Sequence, residues 1–214
     1  MLLVSTLIGK SMALEPLTIE HVPALVSAAS QDRSTFGFTV VPDGIEEMAG
    51  YVQTLLSSHR AGQDIPFVQR RIEADGSLGE VVGCTRYMNI SFPLSRMSAD
   101  TRVPDEIEIG GTWLAKSAQR TSVNTEAKLL LMTHAFENWG VQRVAICTDE
   151  RNEQSRRAIE RIGGVFEGVL RSDRPSWVPS EKGLLRNTAV YSVVSAEWPQ
   201  VKSRLTTILS ASSF

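Results

Sequence analysis

The sequence has few cysteines and no excess of either charge, and both facts exclude classes of protein. Only Cys84 and Cys147 occur among 214 residues, each inside an apolar run and without the spacing of a metal site. We therefore expect both thiols to be core groups of a protein in a reducing compartment. The 22 lysines and arginines are balanced by 24 aspartates and glutamates, which leaves a net charge of -2. A nucleic-acid partner is not expected, because such proteins carry a basic stripe.

Long apolar runs are also missing. No stretch is long enough to span a bilayer, so no membrane association is expected. The apolar start, Met1 to Ile8, is short and lacks a preceding basic residue, which argues against a secretory signal. The default expectation is a cytoplasmic protein. No pair of histidines or carboxylates has metal-ligand spacing on a predicted helix, so no metal is predicted.

Hydrophobic periodicity indicates alternating helices and strands. Helices are predicted over Thr18–Ala29, Asp43–His59, Thr125–Trp139, Asn152–Ile162 and Trp198–Leu209. Strands are predicted over Ile65–Ile72, Gly79–Ile90, Glu106–Leu114, Arg143–Thr148, Val165–Leu170 and Thr188–Val194. Asp75-Gly76 supplies the positive φ of a hairpin turn between the first two strands. The segment from Ser91 to Pro104 is expected to link the second strand to the third.

This order predicts a mixed α/β fold in which helices pack on a central sheet. We expect one domain over residues 1–214, with a core at 12–196 and a C-terminal helix or tail at 197–214. A long loop is expected over Ser172–Leu185, which carries Trp177. A loop of that length is often functional, and this one could cover a binding site or contact another subunit.

The most informative segment is a strand followed by a tight loop and a long helix. The strand ends at Leu114, residues 115–123 form the loop, and the helix begins near Asn124. The first N–H groups of a helix have no intrahelical acceptor and carry partial positive charge, so a phosphate or pyrophosphate fits there. The alternative is an ordinary connection of the kind that any α/β protein contains.

Several motifs resemble the GCN5-related N-acetyltransferase family, most closely its branch of ribosomal-protein N-terminal acetyltransferases. The segments that carry the resemblance are Ile107–Leu114, Gln119–Lys128, Asn152–Ser155, Phe166–Arg171 and Arg186–Ser192. They span about half of the chain in the family's order. The resemblance implies a mostly antiparallel twisted sheet of about six to seven strands. It also implies a splayed parallel pair and helices on both faces.

The resemblance further implies acetyl-CoA as co-substrate. The backbone of Thr112, Trp113 and Leu114 would pair with the pantetheine arm as if it were an added strand. Backbone N–H groups of the phosphate loop would bind the pyrophosphate; that loop comprises Gln119, Arg120, Thr121, Ser122, Val123 and Asn124. Asn152 would lie near the pantetheine arm, and Ser155 would point toward the thioester.

Two departures from the family pattern bear on these expectations. The phosphate loop commonly carries glycines, whereas this chain has Thr121, Ser122 and Asn124. Many relatives place a tyrosine seven residues after the motif asparagine, as general acid for the leaving thiolate. Here that position is Ile159, which cannot donate a proton, and Ser155 is the nearest candidate donor.

Acetyl transfer to an amine requires proton removal, a stabilised oxyanion and a protonated leaving thiolate. Glu108 is the candidate base, directly or through a water; alternatively, it is an outward-facing strand residue or the partner of an arginine. A backbone N–H near Leu114 is the candidate oxyanion donor. Neither cysteine lies in these motifs, so a covalent acyl-enzyme is not expected.

The predicted function is transfer of an acetyl group from acetyl-CoA to a primary amine by direct attack in a ternary complex. The acceptor could be a protein N-terminal α-amine or a small molecule. The alternative is an acyl-CoA-binding sensor, or a catalytically altered member of the same fold. A further alternative is a different acyl group such as succinyl, and a homodimer is expected.

Overall fold

The computed structural model describes residues 2–94 and 103–211. Its strands are β1 Leu7–Ile8, β2 Met12–Pro16, β3 Ile65–Ile72, β4 Leu78–Ser91, β5 Glu106–Leu114, β6 Arg143–Asp149, β7 Val165–Pro175 and β8 Leu185–Val194. Its α-helices are α1 Val22–Ser30, α2 Gly44–Arg60, α3 Val123–Thr133, α4 Glu153–Arg161 and α5 Trp198–Ala211. Part of the predicted link between Ser91 and Pro104 lies outside the described residues.

The strands form one mixed sheet in the order β1-β2-β3-β4-β5-β6-β8-β7. Each neighbouring pair is antiparallel except β5 and β6, which are parallel. The described residues thus give eight strands, whereas about six to seven were expected. Two of the eight, β1 and β2, are not among the six strands predicted above, because their two and five residues are too few to show a clear alternating pattern.

β1 explains the apolar start of the chain. Leu7 and Ile8 pair with Leu14 and Ala13 of β2, so this segment is the outer strand of the sheet. The turn after it is fixed to α3, because the backbone N–H groups of Lys10 and Ser11 donate to the carboxylate of Glu126. The N-terminal segment is thereby attached to the helix that opens the predicted phosphate site.

Helices cover both faces of the sheet, as expected. On one face, the Tyr51 hydroxyl of α2 lies 3.9 Å from the Cys84 thiol of β4. On the other face, the Tyr87 hydroxyl donates to the Leu131 carbonyl of α3 over 2.7 Å. Because side chains alternate along a strand, Cys84 and Tyr87 mark opposite faces. We call these the α1/α2 face and the α3 face.

α3 continues beyond Thr133 as a π-helix over His134–Trp139. Gly140 ends it in the left-handed conformation at φ 70° and ψ 29°, as its sequence position predicts. α5 packs beside this segment, where the rings of Trp198 and Phe136 stack 5.2 Å apart.

The predicted loop over Ser172–Leu185 begins too early, whereas its end agrees to one residue with the start of β8. β7 continues to Pro175 and β8 begins at Leu185, so only residues 176–184 connect the two strands. The extension was missed because most β7 side chains are exposed and its end is polar, which hides the alternation that marks a half-buried strand. The described part of the chain contains no helix with the length and apolarity needed to cross a membrane.

Candidate active site

The parallel strands β5 and β6 separate after a short stretch of pairing. Their register covers only Glu106–Glu108 against Arg143–Ala145. Beyond these residues the strands diverge, and a cleft of about 380 Å³ opens between them. Its walls include Ile109–Leu114 of β5, Ile146–Thr148 of β6 and Asn152–Ser155 at the start of α4. The edge of β5 that faces β6 is therefore free to pair with an extended ligand.

A bulge in β5 lies beside the cleft. Cys84 pairs with Trp113 and Arg86 with Gly110, so β5 holds one more residue than β4 between these pairs. Gly111 adopts φ +58° there, and a Cβ at this position would lie 3.1 Å from the guanidinium carbon of Arg86. A Cβ on Gly110 would lie 2.6 Å from the Met88 sulfur. The two glycines of the motif thus permit both the backbone conformation and the close packing of the bulge.

The phosphate loop ends where α3 begins, next to the cleft. The Thr121 hydroxyl donates to the Ala118 carbonyl over 2.7 Å and accepts from the Val123 N–H at 3.3 Å. The N–H groups of Ser122, Asn124 and Thr125 have no acceptor within the described parts of the chain. This leaves a set of unpaired amides at a helix N-terminus, which is the geometry that binds phosphate.

Positive charge accompanies these amides. A second hollow adjoins the cleft at Leu114 and Asn124, and three arginines line it: Arg120, Arg157 and Arg161. Arg161 also donates to the Thr125 hydroxyl over 3.2 Å, which fixes its guanidinium beside the helix start. Cleft and hollow together form a groove with a cationic end and a strand edge, which matches a long ligand with phosphates at one end.

Comparison with known proteins agrees with this geometry. Residues 12–165 match the model of the acetyltransferase (GNAT) domain. The crystal structure of a putative acetyltransferase from T. thermophilus is 31% identical, with a TM-score of 0.76, over 98% of this chain and 99% of that one. The chain belongs to the GNAT acetyltransferase family.

Two further relatives place it within the family. A GCN5-related N-acetyltransferase from Brucella melitensis is 28% identical, with a TM-score of 0.77, over 95% of this chain and 84% of that one. The "Putative ribosomal N-acetyltransferase YdaF" of Bacillus subtilis is 36% identical over 88 residues, which are 41% of this chain. The match spans 45% of the Bacillus protein, less than half of its length. The family and the fold are thus those that the motifs predicted.

In this GNAT domain, Asn152 and Ser155 open α4 on the β6 side of the cleft. Asn152 is the N-cap, and its side-chain oxygen accepts from the Ser155 N–H at 3.1 Å. Both residues line the cleft, and the Ser155 hydroxyl makes no hydrogen bond with any described residue. Ile159, one turn later, also lines the cleft but is apolar and mostly buried. The hydroxyl of Ser155 is therefore available to a ligand.

Glu108 lies at the point where β5 and β6 separate, but its carboxylate is fully engaged. Arg174 of β7 binds both oxygens, at 2.8 and 2.9 Å, and Asn89 donates a third hydrogen bond at 2.7 Å. The side chain is 5% exposed and is not part of the cleft wall. The structure therefore places Glu108 with an arginine partner, one of the alternatives weighed from the sequence. Its role as a base stays a prediction.

Two buried cations at the cleft were not predicted. Lys128 of α3 is 4% exposed and donates to the Thr112 hydroxyl over 2.9 Å, and burial lowers the pKa of its ammonium to about 7. The sequence feature that could have identified Lys128 is its position one helical turn after Asn124, on a mostly apolar face of the helix. Arg186 of β8 lies on the opposite wall, beside Trp177. It begins the Arg186–Ser192 segment that carries the family resemblance, but nothing in that segment assigned its side chain to the cleft.

The two thiols lie in surroundings that suppress their ionisation. Burial raises the pKa of Cys84 to about 11, and burial together with the nearby Glu108 raises that of Cys147 to about 12. A thiol acts as a nucleophile only as thiolate, so neither cysteine is set up to attack a thioester near neutral pH. Among residues 2–94 and 103–211, no three histidine, cysteine or acidic side chains gather as metal ligands.

Proposed function

We propose that this GNAT domain transfers the acetyl group of acetyl-CoA to a primary amine in the cytoplasm. The observation that carries the proposal is the set of unpaired amides of Ser122, Asn124 and Thr125 at the start of α3, beside a free strand edge. The pyrophosphate would accept from these amides and from Arg120 of the adjoining hollow. The remaining residues of the loop, Gln119, Thr121 and Val123, shape the turn around it.

The proposed path of the pantetheine arm follows the gap between β5 and β6. Its amides would pair with the backbone of Thr112, Trp113 and Leu114, as an added strand pairs with a sheet edge. The thioester would then reach Asn152 and Ser155 across the cleft. The splay supports this path, because β6 leaves that edge of β5 unpaired beyond Glu108.

The proposed chemistry is direct attack by the neutral amine on the thioester carbonyl. A new C–N bond forms, the C–S bond breaks, and a backbone N–H near Leu114 stabilises the intermediate oxyanion. The ammonium proton leaves toward Glu108, directly or through a water. The departing thiolate takes a proton from Ser155, which recovers one from the nitrogen that has attacked. Because Arg174 holds Glu108, the base role requires that this ion pair loosen in the ternary complex or that a water relay the proton.

The acceptor side of the proposal is a protein N-terminal α-amine or the amine of a small molecule. Its site would be the cleft wall on the α1/α2 face, where Phe36, Phe38 and Trp177 offer aromatic surface. The ring of Phe36 packs edge-on against Trp113 at 6.0 Å, which joins this wall to the motif strand. β7 ends at Pro175, so Trp177 follows directly after the strand, at the rim of the cleft.

A homodimer is part of the proposal. β7 is an outermost strand, and no described strand pairs with its free edge. It exposes four apolar side chains, those of Val165, Phe166, Val169 and Leu170. An edge strand with exposed apolar residues is a template for pairing with a second chain.

The test is release of the CoA thiol from acetyl-CoA over a panel of amines and peptides. Turnover with at least one acceptor is expected; a folded protein that turns over none of them would contradict the enzyme. Calorimetric titration with CoA distinguishes the enzyme from an acyl-CoA sensor, because binding without turnover would support the sensor.

One pair of variants tests the amides themselves. Asn124→Pro removes a single N–H within the first helical turn, where proline is tolerated, and Asn124→Ala keeps it. We expect the proline variant alone to weaken CoA binding, by roughly 10-fold, since hydrogen bonds to charged groups contribute about 1.5–3 kcal/mol. Equal losses in two variants with equal melting temperatures would show that the amide is not used.

A further inference from the structure

Arg186 is a buried arginine whose guanidinium makes no hydrogen bond with any described residue. The residue is 6% exposed, and its Nε is fully buried without a partner. Its side chain lines the cleft. Buried charges in proteins are ordinarily paired, because an unpaired one costs several kcal/mol of desolvation. The arrangement indicates that the partner of Arg186 is a ligand.

The acidic groups near Arg186 are already bound by other arginines. Glu108 is held by Arg174, and Asp149 is held by Arg151 at 2.9 and 2.8 Å. Burial and the nearby charge of Arg174 lower the pKa of Arg186. Glu181 also binds Arg151 and Asp173 also binds Arg174, so these acids are engaged by other arginines. Arg186 is thus left without a carboxylate partner of its own among the described side chains.

Trp177 gives the site a planar boundary. The guanidinium carbon of Arg186 lies 4.9 Å from the centre of the Trp177 ring. A guanidinium stacked on an aromatic face keeps its N–H groups directed outward in its own plane, where they match the two oxygens of a carboxylate. A flat anion therefore fits this slot.

The sheet register places Arg186 on the acceptor side of the cleft. Arg186 pairs with Arg174 across β7 and β8, so both side chains leave the same face of the sheet, and Arg174 reaches Glu108 there. This is the α1/α2 face: Glu108 pairs with Met88, whose side chain points to the same side as that of Cys84. The free amides belong to α3, which packs on the opposite face. A group bound by Arg186 thus lies on the side of the sheet where the acceptor is proposed to bind.

We infer that the amine acceptor carries a carboxylate and that Arg186, backed by Trp177, binds it. The inference rests on the proposed function and narrows its acceptor to acidic amines. Arg186 is then a specificity-determining residue: it contacts the acceptor away from the amine that reacts.

The experiment compares acceptors that differ only in a carboxylate. The probes are glycine, β-alanine and γ-aminobutyrate with their carboxamides, and the peptide Ser-Glu-amide with Ser-Gln-amide. Phosphoethanolamine against ethanolamine tests a phosphate in its place. For at least one pair we expect the acid to have roughly 10- to 100-fold higher kcat/KM, since a hydrogen bond to a charged group contributes about 1.5–3 kcal/mol. Equal rates within every carboxylate pair, or a preference confined to the phosphate, would overturn the inference.

Substitutions test whether Arg186 causes the preference for acceptors that carry a carboxylate. Arg186→Gln should remove it, Arg186→Lys should retain part of it, and Arg204→Gln, an exposed arginine on α5, should leave it intact. An unchanged preference in folded Arg186→Gln would overturn the assignment. So would an Arg186-dependent preference for succinyl-CoA over acetyl-CoA, because the carboxylate would then lie on the donor.

One further readout keeps the inference separate from the proposed function. Calorimetric titration of the same acid and amide pairs into the CoA-loaded protein measures acceptor binding without turnover. Loss of all turnover would count against acetyl transfer alone, while tighter binding of the acids that disappears in Arg186→Gln would still support the carboxylate site. Equal binding of acids and amides would refute it.

Discussion

Two buried cations face the cleft from opposite sides, and their chemical surroundings differ. Lys128 has a hydroxyl partner, Thr112, which in turn lies 2.8 Å from the Thr85 hydroxyl. Arg186 has an aromatic neighbour and no acceptor among the described residues. A lysine can respond to burial by losing its proton, whereas an arginine stays charged. Lys128 is therefore the group whose charge state should vary with pH.

Burial of Lys128 should make the protein more stable as the pH rises from neutrality. Its folded-state pKa of about 7 lies below the ordinary 10.5, so between these values the unfolded chain binds more protons. Stability increases with pH wherever that holds. The penalty for a buried charge is thus complete below pH 7 and declines above it.

Replacing this lysine tests the argument. Lys128→Met should be more stable than the wild type at pH 6, and its advantage should shrink by about 1.4 kcal/mol per pH unit between pH 7 and 9. Urea denaturation at each pH measures the difference, and Lys182→Met, an exposed lysine, is the matched control. Tyr51, Tyr87 and Cys84, whose pKa values burial raises, are the same in both proteins and cancel. A constant difference across the range would exclude a titrating Lys128.

Glu108 can be tested as a base apart from its ion pair. If Glu108 takes the ammonium proton, Glu108→Gln should lower kcat roughly 100-fold, the typical contribution of a general base. CoA affinity should stay unchanged, because the side chain is not part of the cleft wall.

The comparison variant is Arg174→Gln, which frees Glu108 from its bidentate partner. It should keep most of kcat, since the carboxylate remains. Glu80→Gln, an exposed glutamate paired with Arg71, controls for the loss of one charge. An equal loss of kcat in Glu108→Gln and Arg174→Gln would assign Glu108 a purely structural role as the partner of Arg174.

Among the helices and strands, those with strong hydrophobic periodicity could be predicted from the sequence. β5 was predicted with its observed bounds, Glu106–Leu114. The strand contains β-branched residues, and a loop signal follows its last residue. α2 and α3 were predicted within two residues at each end, apart from the π-helical continuation of α3. Capping and apolar spacing are local signals, so they can be read without the fold.

What sequence reasoning missed depends on tertiary placement. β1 has two residues and exists because β2 offers it an edge. The unpaired state of Arg186 depends on the tertiary structure. β7 brings Arg174 to Glu108, and Arg186 then has no acidic partner among the described residues. Local propensity carries no information about which arginine obtains a partner, so the unpaired arginine of the site could be recognised only from the three-dimensional structure.

The bulge in β5 makes a prediction of its own. Gly111→Ala places a Cβ at φ +58° and 3.1 Å from Arg86, whereas Gly62→Ala places one at φ +73° with no atom within 4 Å. The second substitution should cost about 1 kcal/mol of unfolding free energy for its backbone alone. We expect Gly111→Ala to cost more than Gly62→Ala and also to weaken CoA binding, because the bulge shapes the free edge.

Chemical denaturation and CoA titration of both variants provide the check. Equal stability losses would show that Arg86 moves aside without cost. Unchanged CoA binding in folded Gly111→Ala would separate the bulge from the cofactor groove.

The two edges of the sheet differ: one is formed by a short, anchored strand and the other by a long, exposed strand. β1 is short and anchored to α3 through Glu126, so it offers little for pairing. β7 is eleven residues long and exposes apolar side chains along much of its length. Exposed edges of this kind are normally blunted by charge or covered. The second half of β7 holds the charged residues Arg171, Asp173 and Arg174 and a register shift, so the part open to pairing is its apolar first half, Val165–Leu170. The net charge of -2 adds only weak self-repulsion.

We therefore predict a dimer that forms through β7, with two copies of the strand pairing antiparallel about a twofold axis. Leu170→Glu, at a side chain that is 51% exposed, should give a folded monomer, because it would bring a buried negative charge to the interface from each copy. Ile45→Glu on α2, at a side chain that is 55% exposed, should stay dimeric. Sedimentation equilibrium measures the mass of each protein. A monomeric wild type would refute the dimer, and a dimeric Leu170→Glu would place its interface elsewhere.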